Sequence, residues 1–202
     1  MDHWFVILCF SAFVGYLFGS IPFGLIITKL AGMGDVRDIG SGNIGATNVL
    51  RTGKKPLAVL TLAADILKGF LPTLLISNYY DLIPFGIIAG FMALIGHMFP
   101  IWLRFKGGKG VATYIGVAFG FFWPSGLSFI VIWLLMAVIF RYSSLSALVA
   151  CLLTPLITFF MTEEIIATTL FVMSILVLIR HRSNIERLIA GEEDKIGQKQ
   201  TS

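Results

Sequence analysis

Residue types that bind phosphate are concentrated between residues 40 and 55, GSGNIGATNVLRTGKK. This stretch has three glycines within six residues, together with serine, threonine and asparagine, and it has no carboxylate. Glycines adopt positive φ without a steric penalty, so neighbouring backbone N–H groups can point at one anion. Arg51, Lys54 and Lys55 add positive charge at one end. The stretch therefore predicts a site for a phosphorylated molecule.

Two further clusters carry similar residue types. Residues 106–110 read KGGKG and form a second glycine and lysine turn, and residues 180–187 read RHRSNIER. On a helix, His181, Asn184 and Arg187 would share one face at spacings of three. Basic loops alone often reflect only membrane topology, but the glycine, serine and asparagine beside the cations are not needed for topology. We interpret the three clusters as walls of one cationic pocket.

Other phosphate and metal chemistry finds no support in the sequence. No stretch matches the P-loop pattern, and the nearest, at residues 107–110, lacks both the spacing and the hydroxyl that would bind magnesium. The basic loops have no carboxylate pair at metal spacing, and no zinc motif or serine-histidine-acid pattern is found. No metal and no cofactor are predicted. Cys9 and Cys151 lie in apolar runs and are expected to be buried packing residues.

The elements that must position these clusters are membrane helices. The chain has 202 residues, of which 57% are hydrophobic and only 13% charged, and its mean hydropathy is +0.90. A soluble core of this size could not bury so many apolar side chains. We predict an all-α polytopic membrane protein with one domain over residues 1–202 and a flexible polar tail at 191–202.

Seven apolar runs are long enough to be considered as spans. They cover residues 5–27, 57–77, 82–103, 111–123, 127–140, 145–161 and 165–179. The run at 111–123 is short for a crossing, which needs about 20 residues, and a half-length or re-entrant helix is the alternative. Gly15 and Gly19 predict close helix packing, and Pro22 predicts either a kink or the start of a new turn. Five crossings remain the alternative to seven.

The distribution of charge fixes the predicted orientation. Lysine and arginine occupy the connections after spans one, three, five and seven. The charged residues on the other side are all acidic, namely Asp2, Asp81, Glu163 and Glu164. The positive-inside rule then places the N-terminus outside and the C-terminus in the cytoplasm. Asp65 and Lys68 lie within the second span on one helical face, either as a structural ion pair or as support beneath the polar site.

Three stretches together resemble the signature regions of a known family. SGNIGATNVLRTGKK, GHMFPIWLRFKGGKGVAT and RHRSNIERL are similar, in order and over nearly the whole chain, to the bacterial acyl-phosphate:glycerol-3-phosphate acyltransferases of the PlsY type. The resemblance implies a seven-helix enzyme of the bacterial inner membrane with its active site on the cytoplasmic face. It also implies transfer of an acyl group from acyl phosphate to the 1-hydroxyl of sn-glycerol 3-phosphate, which gives lysophosphatidic acid and inorganic phosphate.

The resemblance assigns roles to individual residues. The catalytic set is Ser41, Arg51, Lys109, His181 and Asn184. The residues expected to bind substrate are Gly42, Asn43, Gly45, Thr47, Asn48, Gly108, Gly110, Ser144 and Arg187. Asp65 and Lys68 are expected to support the site from behind. His181 either binds a phosphate, which we favour, or acts as the general base.

The expected donor is acyl phosphate, because the pattern H-x-x-x-x-D of acyltransferases that use acyl-CoA or acyl carrier protein is absent. His97 is followed five residues later by Trp102, and His181 by Glu186. The expected partners are the two substrates and membrane lipid, with no nucleic acid and no prediction of oligomeric state. The alternative function is a transporter or flippase for a phosphorylated metabolite, although no internal repeat supports it. A scaffold that binds anionic lipid headgroups would need only the cations.

Overall fold

A computed structural model describes residues 3–80 and 83–198, and all the regular secondary structure in these two ranges is helical. The α-helices there are α1 His3–Ser20, α2 Phe23–Leu30, α3 Ala46–Leu50, α4 Lys55–Tyr80, α5 Ile83–Met98, α6 Val111–Phe121, α7 Trp123–Phe140, α8 Ser143–Phe159, α9 Glu164–Arg180 and α10 Arg182–Ala190. The chain divides between Trp123 and Pro124 into two compact units. The first unit contains α1 to α6 and the second contains α8 to α10 with nearly all of α7.

Close helix packing in the first unit depends on glycine, as the sequence predicts. A Cβ atom at Gly15 or Gly19 of α1 would collide with the backbone of α5 at Ala89 or Ala93. The same holds between α4 and α6, where a Cβ at Gly116 would collide with the carbonyl of Ile66. Without side chains at these positions, the backbones approach closely and gain van der Waals contact along the helix pair.

The first apolar run is broken near its end. Helix α1 ends at Ser20 and α2 begins at Phe23, with Pro22 at its N-terminus. Proline has no N–H and its ring prevents continuation of the preceding helix, whereas it is tolerated where a new helix starts. Of the two outcomes predicted at Pro22, the start of a new helical segment is confirmed, and α2 continues to Leu30 beyond it.

The glycine-rich connection after α2 contains more structure than a loop. Residues 31–56, which join the first two predicted spans, hold the 3-10 helix Val36–Asp38, helix α3 and the first two residues of α4. Val36, Ile44 and Val49 are fully or almost fully buried and form one apolar cluster with Leu25 of α2 and Ala58 of α4. This cluster anchors the connection to the helices on either side.

The second unit is organised by α8 and α9, which pack side by side. Ser174 of α9 donates a hydrogen bond to the carbonyl of Cys151 in α8 over 2.6 Å, and Ser125 and Thr158 share another at 2.7 Å. Helix α10 is bent by 61° from α9. Cys151 is buried as predicted, but Cys9 is exposed on α1, so that prediction is wrong for Cys9.

The structure confirms that the described residues form an all-helical fold with several apolar helices. The number of seven spans and their orientation stay predictions. Four helical segments are long and apolar enough to span a membrane: His3–Leu30, Lys55–Tyr80, Ile83–Leu103 and Trp123–Phe140. The bent pair α9 and α10 makes a fifth if it is counted as one span, while α6 and α8 are shorter apolar helices. The predicted span start at Leu82, the charges at Asp2, Asp81 and Lys199, and the tail beyond Gln198 lie outside the described residues.

Candidate active site

The first cluster is a backbone loop with two glycines in the left-handed region. Gly40 has φ of 55° and Gly42 has φ of 68°, a conformation that other residues adopt at a cost. Gly45 lies at the N-terminus of α3, and its N–H donates to Asn43 Oδ1 over 3.0 Å. Glycine at positions 40 and 42 therefore lets the chain reverse sharply within the predicted site.

Asn48 holds this loop together from inside. Its side chain is buried, and its amide nitrogen donates to the carbonyl oxygens of Val36, Ile39 and Asn43 over 2.8 to 2.9 Å. Its Oδ1 accepts from the backbone N–H of Ser41 at 3.0 Å and from the Ser41 hydroxyl at 3.2 Å. The sequence predicts a substrate ligand at Asn48, but these contacts direct both ends of its amide into the loop. Asn48 therefore positions Ser41.

Other predicted residues of the first cluster lie at its surface. Ser41, Gly42 and Thr47 are exposed, and Arg51 is half-buried at the end of α3. Arg51 lies against Gly40, since a Cβ at Gly40 would come within 2.8 Å of Arg51 Cδ. The absence of a side chain at Gly40 thus leaves room for the methylene groups of Arg51. The Ser41 hydroxyl and the Arg51 guanidinium therefore both belong to the short segment of residues 41–51.

The second cluster is a turn fastened to the end of α5. Gly107 N–H donates to the carbonyl of Met98, and Gly108 N–H donates to the carbonyl of His97, both over 3.1 Å. Gly110 has φ of 89° and precedes the first residue of α6. Lys109 is half-buried between them. The glycines therefore fix the backbone on both sides of Lys109.

The first unit brings these two clusters into one packed region. Leu103, which precedes the glycine and lysine turn, packs against the apolar cluster beneath the first loop. The predicted supporting pair also lies in this unit, where Lys68 Nζ is 2.7 Å from Asp65 Oδ1 and both side chains are at most 3% exposed. His97 Nδ1 lies 3.8 Å from the same oxygen.

The third cluster differs from the predicted helix face. His181 terminates α9 and precedes α10, so it does not share a continuous helix with Asn184 and Arg187. It is buried, and its Nδ1 lies 2.8 Å from the carbonyl oxygen of Val177. Because a carbonyl only accepts, this hydrogen bond requires the proton on Nδ1, and the neutral ring then has its lone pair on Nε2.

Glu193 is the centre of the second unit's polar cluster, and the sequence reasoning missed it. Its carboxylate accepts hydrogen bonds from Ser144 and Asn184, each over 2.6 Å, and pairs with Arg187 Nε at 2.7 Å. Burial alone would raise the pKa of Glu193, but the bonds from these three side chains outweigh it and hold the pKa below its usual value. Glu193 lies three residues after the end of α10. The segment around it is simply polar in sequence, so residue types alone do not mark this carboxylate as part of a site.

The two units thus carry different functional groups. The first presents a hydroxyl, glycine backbone, Arg51 and Lys109, whereas the second presents an imidazole and a carboxylate that orients Ser144, Asn184 and Arg187. Within residues 3–80 and 83–198, no three histidine, cysteine or acidic side chains are grouped as a metal ion would require. Cations and hydrogen-bond donors of this kind bind and orient phosphate groups. The prediction that all three clusters form one site stays a prediction.

Comparison with known proteins identifies relatives over nearly the whole chain. A family model described as glycerol-3-phosphate acyltransferase matches residues 9–191. A protein of that name from Mesorhizobium japonicum is 57% identical over 185 residues, which are 92% of this chain and 94% of its own. Another from Bartonella quintana is 55% identical over 188 residues, 91% and 89% of the two chains.

Two solved structures share the fold. Both are crystal structures of PlsY (YgiH), described as an integral membrane glycerol 3-phosphate acyltransferase. The glycerol 3-phosphate form has a TM-score of 0.88 and 38% identity, and it covers 94% of this chain and 96% of its own. The lysphosphatidic acid form has a TM-score of 0.86 and 36% identity, with coverage of 94% and 95%.

Proposed function

The chain belongs to the glycerol-3-phosphate acyltransferase family and transfers an acyl group to glycerol 3-phosphate, and on this premise we propose that its acyl donor is acyl phosphate. The hydroxyl oxygen at position 1 of glycerol 3-phosphate attacks the acyl carbon. The bond from that carbon to the phosphate oxygen breaks, and inorganic phosphate leaves. The products are lysophosphatidic acid and phosphate, and no covalent acyl-enzyme is formed, because a mixed anhydride already has a good leaving group.

One observation carries this proposal. The loop at residues 40–51 combines Gly40 and Gly42 at positive φ, an exposed Ser41 hydroxyl and the Arg51 cation, without a carboxylate. The Ser41 hydroxyl and the Arg51 guanidinium are donors of the kind that stabilises the charge developing on a leaving phosphate and on the acyl oxygen. A donor that carries its own phosphate next to the reacting carbon matches such a loop.

We assign the two substrates to different residues. Arg51, Lys109, His181 and Asn184 bind mainly glycerol 3-phosphate. The acyl phosphate is bound mainly by the Ser41 side chain and the backbone of residues 43–44, because the N–H groups of Ser41, Gly42 and Gly45 donate within the loop. Ser144 is a weaker contributor. Alignment of the two substrates supplies most of the rate enhancement, because it replaces a bimolecular encounter by reaction between neighbours.

The proton of the attacking hydroxyl passes to a phosphate oxygen of the substrates, while His181 binds phosphate. The geometry is compatible with this role, because the Nδ1 hydrogen bond to Val177 fixes the orientation of the ring. Phosphate oxygens accept hydrogen bonds, so His181 binds phosphate as the imidazolium, with Nδ1–H donating to Val177 and Nε2–H donating to the phosphate.

The membrane arrangement we propose has seven crossings, with the N-terminus outside, the C-terminus in the cytoplasm and the reaction at the cytoplasmic surface of the bacterial inner membrane. The alternating charge of the connections supports it. A reporter that is active only in the cytoplasm should work when fused after residue 198 and should be silent when inserted at Glu163. Activity at both positions would contradict seven crossings in this orientation.

The donor is tested directly with the purified protein in detergent. Palmitoyl phosphate and glycerol 3-phosphate together should release inorganic phosphate, and neither should do so alone. Palmitoyl-CoA with glycerol 3-phosphate should give no lysophosphatidic acid. Product from the CoA ester and not from the phosphate would overturn the proposed donor while leaving the family assignment intact.

Single substitutions in the first loop test the assigned roles. Arg51→Ala should lower kcat/KM by roughly 100-fold or more, because a charged donor to phosphate is lost in the transition state. Lys55→Ala removes an exposed cation at the end of the same stretch and is the matched control. Equal losses in both variants would show that general positive charge, and not a specific contact, is what the loop supplies.

A further inference from the structure

Three buried ionisable side chains form a network in the first unit. Asp65, Lys68 and His97 are each at most 4% exposed. Asp65 Oδ1 lies 2.7 Å from Lys68 Nζ and 3.8 Å from His97 Nδ1. Removing charges from water is costly, and a buried ion pair often stabilises a protein no better than apolar residues of the same volume. Stability alone therefore does not explain why these three ionisable side chains are buried together.

One end of the network holds the helix break. Lys68 Nζ donates to the carbonyl oxygen of Ile21 over 2.8 Å, between the end of α1 and the start of α2. The same ammonium lies 5.8 Å from the centre of the Phe23 ring, at the first residue of α2. Carbonyls at a break lose regular helical partners and need other donors inside an apolar bundle. Lys68 supplies one.

The other end of the network reaches the glycine and lysine turn. The carbonyl of His97 accepts from the Gly108 N–H over 3.1 Å. The imidazole lies directly under the same residue, since a Cβ at Gly108 would collide with His97 Nε2. The ring therefore sets how closely the turn approaches α5, and Lys109 is the next residue along the chain.

We propose that Asp65, Lys68 and His97 are positioning residues for Lys109. The Asp65 carboxylate pairs with Lys68 and lies 3.8 Å from the His97 ring, and that ring in turn lies against the backbone at Gly108. The network thus places the Lys109 ammonium for the phosphate of glycerol 3-phosphate. This inference rests on the proposed function, in which Lys109 binds that substrate. It predicts an effect on the binding of glycerol 3-phosphate and none on that of the acyl donor.

The decisive experiment is a double-mutant cycle between His97 and Gly108, measured as the KM for each substrate and kcat in detergent. His97→Ala should raise the KM for glycerol 3-phosphate about tenfold, which corresponds to ~1.4 kcal/mol, with little change in the KM for palmitoyl phosphate. Gly108→Ala should raise it further, because its methyl group collides with the imidazole. The double variant should return to the value of His97→Ala, because the ring that caused the collision is gone.

Two results would overturn the proposal. One is a double variant whose KM is the product of the two single effects, since the residues would then act independently. The other is an equal rise in KM for both substrates, which indicates general damage. Met92→Ala, a half-buried neighbour on α5, is the matched control and should leave both KM values unchanged. A wild-type protein that releases no phosphate would instead reject the proposed donor.

The charge pair is tested by removing both partners at once. Asp65→Asn alone leaves Lys68 as an unpaired buried cation, which strongly destabilises a fold. Asp65→Leu combined with Lys68→Met avoids that charge and should fold, with a raised KM for glycerol 3-phosphate. A folded double variant with wild-type kinetic constants would show that the pair is purely structural, and the His97 series decides the proposal if this variant does not fold.

Discussion

Asn184 donates its side-chain amide to the Glu193 carboxylate over 2.6 Å. The same oxygen accepts from Ser144 at the same distance, and the other oxygen pairs with Arg187. One carboxylate therefore orients three residues that the sequence assigns to the site, from the start of α8 and from α10. Glu193 acts on the proposed reaction through these residues.

Replacing Glu193 by glutamine should abolish most activity and lower the thermal stability. The amide nitrogen of glutamine donates and does not accept, so it cannot satisfy Ser144, Asn184 and Arg187 together. Each buried donor left without a partner costs about 1 to 3 kcal/mol. Activity with palmitoyl phosphate and thermal unfolding in detergent measure the two effects.

Glu192→Gln is the matched control for this variant. Glu192 is the exposed neighbour of Glu193, so its substitution makes the same chemical change without touching the polar cluster. We expect wild-type activity and unfolding temperature. Equal losses in the two variants would mean that net charge in this segment matters and that the hydrogen bonds of Glu193 do not.

The same carboxylate predicts how stability depends on pH. Burial works against it, but the bonds from Ser144, Asn184 and Arg187 hold the pKa of Glu193 below its ordinary value of 4.5. A lowered folded-state pKa contributes stability that is fully present above pH 4.5 and is lost as the pH falls through the folded pKa. The difference in unfolding temperature between wild type and Glu193→Gln should therefore shrink below pH 4.5. A difference that does not change with pH would contradict the assignment.

Asn48 yields a prediction about the first loop. Its amide joins Ser41 to the carbonyls of Val36, Ile39 and Asn43. Asn48→Asp keeps the acceptor but removes the donors and buries a charge, so it should inactivate the enzyme as completely as Asn48→Ala. Leu50→Ala changes an exposed residue of the same short helix and should retain activity. An active Asn48→Asp variant would show that the three carbonyls do not depend on Asn48.

Much of this arrangement was predictable from the sequence, and the reason differs from part to part. The helical class, the break at Pro22 and the glycine packing follow from composition and from local steric rules, so they were predicted correctly. The roles of Asn48 and Glu193 depend on which groups meet after folding. Neither residue type nor spacing distinguishes an asparagine that binds substrate from one that binds its own loop. The bend at His181, between α9 and α10, does not follow from the spacing of residue types, because it depends on how the two helices pack.

Helix packing can be tested by adding one methyl group. Gly19→Ala should destabilise the first unit by about 1 to 3 kcal/mol, because its Cβ would meet the backbone of Ala93, which cannot move without shifting α5. Gly32→Ala is the informative comparison, since φ there is +72° but no atom lies within 4 Å of the added Cβ. It should cost only about 1 kcal/mol of backbone strain. Equal unfolding temperatures for the two variants would show that contact with α5 is not what requires glycine at position 19.

The role of His181 is decided by two substitutions compared across pH. Glutamine places an amide close to the position of Nε2 and can bind a phosphate, but it cannot take up a proton near neutral pH. If His181 binds phosphate, as we propose, His181→Gln should retain most activity, His181→Ala should lose it, and the pH dependence of kcat for the glutamine variant should match wild type. If His181 is the general base, both variants should be equally impaired, by about 100-fold or more, and the acidic limb of the kcat profile should disappear. Purified protein, palmitoyl phosphate at saturation and varied glycerol 3-phosphate give kcat and KM separately, so a loss of binding is distinguished from a loss of proton transfer.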